Sequence, residues 1–554
     1  MARLLIVLAL AMIAAPAAHA AATAPWPPRT GPGDLYVHYG EEHYNDIDGE
    51  AVLTRLVTDV ARYRPALVTM SGDKVRDGVA DQLEKWRDIM SAYDRAGVPY
   101  MAAVGNHDGM QMTPEAVTEP TAGITPTRDT TIYEGVFAER PYPMGDAPPY
   151  LSLNGPARPS DDPEGASTHY FVDTKTVRWV FIDNSCYGII NCDPLQNPPD
   201  GQGRTQYEFL RDAAAEAGAA GRLVFVVMHM PTRDPRDQEH STTIHRNHVM
   251  GKGGSPDNAL FEREAEALGV DGVFLGHIKG QWQYKGRGDI PYYIDGGAGG
   301  ELYTSGPLGV DHGYWYGWRM LRVEGTKVTT DVVPVIVPEG IVLEGPQRLA
   351  AGGDTVRYAA FARQPATKSG RAVVERLELR DPNPIPKGSG GSGAQGSEPT
   401  ATPREVLPNP ARIFTTSNPL VLAPVGSDSD DPRRDAATQT ADGAFAPRCP
   451  GRAFVSVTSG FHQRFEKVTV ASRNGAILRR VRRGKGRTLA RVDLAQPAVV
   501  SARLLRSGRV VKRFPAACRR GSVRLSAPAG LRRGAVLEVV VRSDRKPRFR
   551  RLRL

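Results

Sequence analysis

Five short polar groups, each directly after an apolar run, hold the residues of this 554-residue chain best suited to chemistry: Glu41-Glu42-His43, Gly72-Asp73, Gly105-Asn106-His107-Asp108, His229 and Gly276-His277. Asp, Glu, Asn and His offer hard or borderline oxygen and nitrogen donors, suited to Mn²⁺, Fe, Zn²⁺ or Mg²⁺. A carboxylate such as Asp73 can bridge two such ions about 3.5–4 Å apart, and paired ions serve in-line displacement at phosphorus. The stretch FLGHIKGQ (Phe274–Gln281) departs from a pure donor set, because Lys279 stands two residues after His277. A charged ammonium has three donors and no lone pair, so it cannot ligate a metal while it keeps its proton. Taken alone, His229 reads as an ordinary core or loop histidine, and EHSTTIHRNH (Glu239–His248) as a polar loop.

Those groups need a frame that brings distant segments together. LYVHY (Leu35–Tyr39), ALVTM (Ala66–Met70), YMAAV (Tyr100–Val104), WVFID (Trp179–Asp183) and LVFVVM (Leu223–Met228) read as buried strands. Between them Val52, Leu53, Leu56, Val57 and Val60 recur at helical spacing, as do Leu83, Trp86, Ile89, Met90 and Tyr93. Alternating strand and helix signals predict an α/β domain whose helices cover its sheets. In such sheets functional groups collect at the carboxyl ends of strands, where all five polar groups fall. The Pro/Thr/Gly-rich stretch Gly109–Ser167 interrupts the rhythm and predicts long surface loops.

In this order the motifs resemble those of the calcineurin-like metallophosphoesterase superfamily: D-x-H, G-D, G-N-H-D/E, a lone His, then G-H-x-H. SGDKVRDG, VGNHD, VVMHMP and the later GGAGG (Gly296–Gly300) match, and the resemblance spans residues 34–334. It implies a sandwich of two mixed sheets flanked by helices, followed here by a β-rich C-terminal region. It implies a phosphate-ester substrate, mono- or diester, hydrolysed by attack of a metal-bound hydroxide, with one or two divalent metal ions as cofactors. The second metal site would take Asp73, Asn106, His229 and His277, and the first Glu41, His43, Asp73 and the final histidine. His107 would contact the phosphate and protonate the leaving oxygen, with Asp108 beside it in the same catalytic motif. Two positions depart from the pattern: Glu41 replaces an Asp, and Lys279 replaces the last His. Three readings of the first site stay open. His38, Gln281 or one of His240, His245 and His248 completes it, or the Lys279 ammonium replaces the first metal's charge, or the site binds phosphate without turnover. The carboxylate that orients the histidine in some members would fall at Arg76, which instead can face the substrate phosphate, since guanidinium matches phosphate geometry. The alternative to an active enzyme is a weak or inactive protein of the same fold that binds anionic ligands at the cell surface.

The remaining sequence bounds the setting. MARLLIVLALAMIAAPAAHA reads as a secretory signal peptide over residues 1–20, which predicts a secreted protein, and no later stretch reads as transmembrane. Residues 335–445 are irregular and contain linker-like composition at 387–403 and 426–443. Residues 446–554 show short β-type runs, FEKVTVAS, PAVVSARLL and AVLEVVVRS, and predict a small basic β-sandwich. That segment holds 29 Lys and Arg against four acids, a surplus of 25, so the rest of a chain whose net charge is +9 stands at −16. Such a tail suits an anionic cell-wall or surface polymer. With few aromatics, it predicts no specific nucleic-acid recognition. The four cysteines fall into two regional groups, which favours Cys186–Cys192 and Cys449–Cys518 over the other two pairings.

Overall fold

The computed structural model describes residues 35–46, 49–109, 132–133, 136, 152–154, 168–192, 205–235, 249–250, 257–302, 313–365, 377–380, 412–425, 438–440, 442–472, 478–485, 487–528, 531, 534–542 and 547–554. The leader over 1–20, most of the 109–167 stretch, His240, His245, His248, the 387–403 linker and most of 426–443 lie outside the described residues.

Strand β1 (Leu35–Tyr39) is buried at every position, and so is β2 (Leu67–Met70), as expected of central strands covered on both faces. The two run parallel, and β3 (Tyr100–Ala102) joins β2 in the same sense. A second sheet is built from β4 (Ser152–Asn154), β5 (Tyr170–Asp173), β6 (Val177–Phe181), β7 (Leu223–Val227), β8 (Gly272–Leu275), β9 (Gln281–Lys285) and β10 (Pro291–Asp295). The chain then returns to the first sheet as β11 (Gly317–Glu324) and β12 (Lys327–Pro334). The orders are β12-β11-β1-β2-β3 and β4-β5-β6-β7-β8-β10-β9. Each sheet is mixed: the first is antiparallel through β12-β11-β1 and parallel through β1-β2-β3, and the second is parallel through β6-β7-β8-β10 and antiparallel at both edges.

The two sheets share one core. Tyr36, Leu67, Met101 and Leu321 from the first pack with Val172, Trp179, Phe225 and Phe274 from the second. Helix α1 (Gly49–Tyr63) buries the Val52, Leu53, Leu56, Val57, Val60 stripe, and α2 (Ala80–Ala96) buries Leu83, Trp86, Met90 and Tyr93. The hydroxyl of Tyr39 on β1 reaches Met90 and Tyr93, which fixes α2 on the outer face of the first sheet. Helices α3 (Gln206–Ala219) and α4 (Asp257–Ala267) cover the outer face of the second through Phe209, Leu210 and Phe261. Thr205 and Glu208 form a reciprocal capping box that starts α3, and Gly97 ends α2 in the left-handed conformation. The result is the layered sandwich, helix–sheet–sheet–helix, that the motifs implied. A buried ion pair, Arg319 of β11 with Asp295 of β10 at 2.8 Å, ties the two sheets together.

Residues 341–361 and 412–554 form a separate unit. The stretch read as irregular contributes strands to it, among them Ile341–Glu344, Ile413–Thr416 and Ala444–Pro447. Beyond them lie β13 (Leu478–Arg483), β14 (Thr488–Leu494), β15 (Ala498–Arg506), β16 (Arg509–Arg519), β17 (Ser522–Ser526), β18 (Ala535–Arg542) and β19 (Arg548–Arg553). These make sheets in the orders β13-β14-β17 and β16-β15-β18-β19, which share a core of Leu489, Val492, Leu504, Leu537 and Val539. Disulfides join Cys186 to Cys192 and Cys449 to Cys518. No helix of the described residues is long and apolar enough to cross a membrane.

Candidate metal centre

Each polar group leaves the carboxyl end of a parallel strand: Glu41 and His43 after β1, Asp73 after β2, Asn106 and His107 after β3, His229 after β7 and His277 after β8. The loops that carry them are sharply bent. Of nine non-glycine residues with left-handed backbone in the described chain, four are Glu41, His43, Asp73 and His277. That conformation costs an L-residue about 1–3 kcal/mol and concentrates where the surroundings hold a functional group in place. Glycines permit the close approach. A side chain at Gly72 would meet the main chain of Gly105 at 2.5 Å, and one at Gly105 would meet Asp73 at 2.1 Å.

Four buried donors converge. His229 Nε2 lies 2.8 Å from Asn106 Oδ1, 3.1 Å from His277 Nδ1 and 3.3 Å from Asp73 Oδ2. His277 Nδ1 is 3.0 Å from Asn106 Oδ1. His229 Nδ1 is 2.9 Å from the Ser71 carbonyl, which can only accept, so Nδ1 carries a proton and Nε2 is turned to the other three groups. Ligands about 2.1 Å from one ion stand about 3.0 Å apart in an octahedron and about 3.4 Å apart in a tetrahedron. The observed separations fit one divalent cation. Although burial alone would lower it, the Asp73 and Glu41 carboxylates hold the His229 imidazole up at about 9, the mark of a pocket that demands positive charge.

A second group of donors shares Asp73. His43 Nε2 lies 3.2 Å from Asp73 Oδ2 and 3.4 Å from Glu41 Oε2. Glu41 also accepts the His277 backbone N–H at 2.6 Å, so its longer side chain bridges the two groups of donors. Lys279 Nζ is 3.2 Å from Asp46 Oδ2; burial and then the Lys279 charge oppose protonation of His43, but Asp73 and Glu41 hold its ring up at about 9. Asp46 also accepts the Glu301 N–H at 3.0 Å and faces Arg76 at 3.7 Å. Burial would raise the Asp46 carboxyl, but Lys279 and His43 bring it below its usual value. Of the other groups expected at this place, His240, His245 and His248 lie outside the described residues. His38 Nδ1 pairs with Thr69 at 2.9 Å, and Gln281 donates to the Gly317 carbonyl at 3.1 Å.

His107 is positioned through its main chain and its ring. Its N–H donates to Asp73 Oδ1 at 2.8 Å, and its Nδ1 donates to the Arg76 carbonyl at 2.7 Å. Residue 76 thus orients the histidine with its backbone, whatever its side chain. Asp108 is fully buried and accepts from the backbone N–H groups of Asp73, Lys74 and Gly105 at 2.8–3.0 Å and from Lys74 Nζ at 2.9 Å. Its carboxylate joins the Gly72-Asp73 loop to the Gly105-Asn106-His107 loop.

Asp46, Asn184 and Tyr187 were not legible as site residues. Asn184 Oδ1 accepts the N–H groups of His229 and Met230 at 2.9 Å and so holds the β7 loop. Tyr187, inside the Cys186–Cys192 loop, sets its ring edge-on to His277 with centroids 6.1 Å apart. A short acid three residues after His43 was the one available signal for Asp46; nothing in the sequence marks the other two.

A family model described as calcineurin-like phosphoesterase matches residues 33–280. Among solved structures, the chain is similar to a purple acid phosphatase from yellow lupin (Lupinus luteus) seeds, with 14% identity, 56% of this chain and 53% of that one covered, and a TM-score of 0.37. PhoD gives 11% identity, 64% and 73% coverage and a TM-score of 0.37. A dimetal phosphatase from Danio rerio gives 12%, 55% and 98% coverage and 0.33. The match thus spans about half of the lupin protein's length. No curated protein sequence matches the chain. Residues 33–280, which carry the ordered motifs, are thus similar to the calcineurin-like phosphoesterases.

Proposed function

We propose that this chain is a metal-dependent phosphoesterase with one full cation site, in which Lys279 supplies the positive charge that a second ion would bring. The observation that carries this reading is a set of four buried donors in which His229 Nε2 lies 2.8–3.3 Å from each of Asn106, His277 and Asp73. A divalent cation held there supplies Lewis acidity towards a phosphoryl oxygen and lowers the pKa of a bound water. Glu41, His43 and Asp73 provide three donors beside it, and Lys279 comes to Asp46 instead of completing that set.

The chain's own groups have distinct tasks. Lys279 and Arg76 flank the single acid Asp46, which leaves one surplus positive charge at the rim to receive a phosphate. His107, with its Nδ1 proton fixed on the Arg76 carbonyl, keeps Nε2 free to hold or deliver a proton at the leaving oxygen. Asp108 acts through its neighbours as a positioning residue, because its oxygens are occupied by Lys74 and three backbone N–H groups. Export is part of the same reading, and the two disulfides support it.

The test is hydrolysis of a chromogenic phosphodiester and a monoester by chelator-stripped protein, titrated with Mn²⁺, Zn²⁺, Fe²⁺ and Mg²⁺. Turnover should appear only with metal and fall at least ~10³-fold in Asp73→Ala. No turnover with any of the four metals, from protein that still binds one ion, would leave a phosphate-binding protein and overturn the enzymatic reading.

A further inference from the structure

One face of the sheet β16-β15-β18-β19 has an arrangement that composition alone does not reveal. Register places Arg513 of β16 opposite Arg503 of β15, Arg503 opposite Glu538 of β18, and Glu538 opposite Arg551 of β19. Four side chains therefore form one transverse row across four strands, three of them cationic. Neighbouring strands are about 4.8 Å apart, so the row is about 14 Å long. Glu538 is ion-paired with Arg503 and with Arg551 (2.7 Å to the latter), which aims both guanidinium groups along the row. Arg513 and Arg542 have no acidic partner among the described residues. The opposite face is the core, where Ala502, Leu504, Leu537 and Val539 alternate with the row residues.

Like charges set directly opposite on a sheet destabilise it. Glu538 offsets the charge of Arg503 but not that of Arg513, so an anion lying across Arg513 would relieve the remaining repulsion. The same residues line a cleft of about 840 Å³, together with Phe549, which is 64% exposed. A phenyl ring held in water beside guanidinium groups is a liability in a protein that meets only solvent. It is an asset where a flat ring has to be stacked. Guanidinium matches phosphate geometry, and phosphates joined in a flexible strand can follow a row of arginines.

We propose that this cleft binds single-stranded nucleic acid without sequence preference, its phosphates on the row Arg513–Arg503–Arg551 with Arg542, and one base stacked on Phe549. Binding is independent of the metal centre, so Asp73→Ala leaves it intact while abolishing the proposed turnover.

The full chain would be titrated with a labelled oligothymidylate, with inorganic polyphosphate of equal charge, and with heparin, between 50 and 300 mM salt. The expected result is oligonucleotide binding that weakens steeply with salt. Arg513→Gln with Arg542→Gln should weaken it ~10-fold or more and flatten the salt slope by about 0.7 per lost contact. Phe549→Ala should weaken the oligonucleotide ~10-fold and leave polyphosphate unchanged. A second arginine row, Arg482–Arg491–Arg524 across β13, β14 and β17, is the internal control. Three outcomes overturn the proposal: no binding at 50 mM salt, an equal loss on Arg491→Gln with Arg524→Gln, or an oligonucleotide affinity indifferent to Phe549. The second would mean diffuse basic charge, and the third a base-free surface polymer as the ligand.

Discussion

A lysine in a histidine's place changes the demands on its neighbours. With a histidine, Glu41, His43 and Asp73 would gain a fourth donor. With Lys279 the same space receives a fixed positive charge, and that charge requires an acid of its own, which Asp46 provides at 3.2 Å. The pairing removes Asp46 from the list of spare ligands and holds the ammonium at the rim. Metal content should therefore be set by residue 279. After dialysis against excess Mn²⁺ and removal of loose metal, elemental analysis should find one ion per wild-type chain and two in Lys279→His. Two tightly held ions in the wild type would show that the three donors suffice alone, and the charge-replacement reading would fail. Ligand chemistry, not ester turnover, decides this outcome, so it stands even if the substrate remains unidentified.

At the scale of strands and loops, β1 links the core to the centre, and its burial has a measurable cost. His38 sits on β1 with its ring against Thr69 and Phe274, and burial followed by the charge of Arg319 pushes its pKa down to about 3. In the unfolded chain the same ring titrates near about 6.5. Below that pH the unfolded state takes a proton that the folded state refuses, so stability falls as pH drops from about 6.5 towards about 3. The slope is about 1.4 kcal/mol per pH unit for one proton. His38→Gln removes that proton, so wild type and variant should diverge on the acid side by about 1–3 kcal/mol between pH 6.5 and 4.5. Among the described residues every tryptophan (Trp86, Trp179, Trp282, Trp315 and Trp318) is buried in this sandwich, so tryptophan emission in urea follows it. Parallel pH profiles would mean that His38 is protonated when folded. Much of this level was legible beforehand. Apolar runs ending in Gly, Asp or His located β1, β2, β3 and β7 to within one or two residues, because fully buried strands need unbroken apolar stretches. Strands β9 and β10 were not, since QWQYK and PYYID mix polar and aromatic residues, and β9 stands at the edge of its sheet. Helix α3 was equally hidden, because an alanine-rich stretch has little contrast between its faces. Asp46 was invisible for another reason: its partner Lys279 lies 233 residues away, and only the closed sandwich brings them together.

Across the whole molecule, the sequence divides into an acidic part that carries the candidate metal centre and a basic part of β-structure. The charge split was readable from composition. The cross-strand arginine rows were not, since they depend on register, and β-bulges shift the pairing of β15 with β16. What holds the basic unit together against its own charge is a fair question, for a surplus of 25 on its last 109 residues opposes compaction. The core shared by its two sheets is one answer. The Cys449–Cys518 bond is another, because it closes a loop of sequence separation 69 and so restricts the unfolded chain most where repulsion would expand it. The chain-entropy model gives about 4 kcal/mol for a loop of that length. Replacing both cysteines by alanine should lower the stability of this unit by that order, with the larger loss at low salt, where repulsion is least screened. Far-UV circular dichroism in urea follows the loss, and emission from Trp86, Trp179, Trp282, Trp315 and Trp318 marks the other unit's transition for comparison. A β-rich transition that does not move on loss of the bond, at either salt concentration, would mean that the sheets alone overcome the repulsion. An equal loss at both salts would leave the chain-entropy term standing and remove self-repulsion from the account.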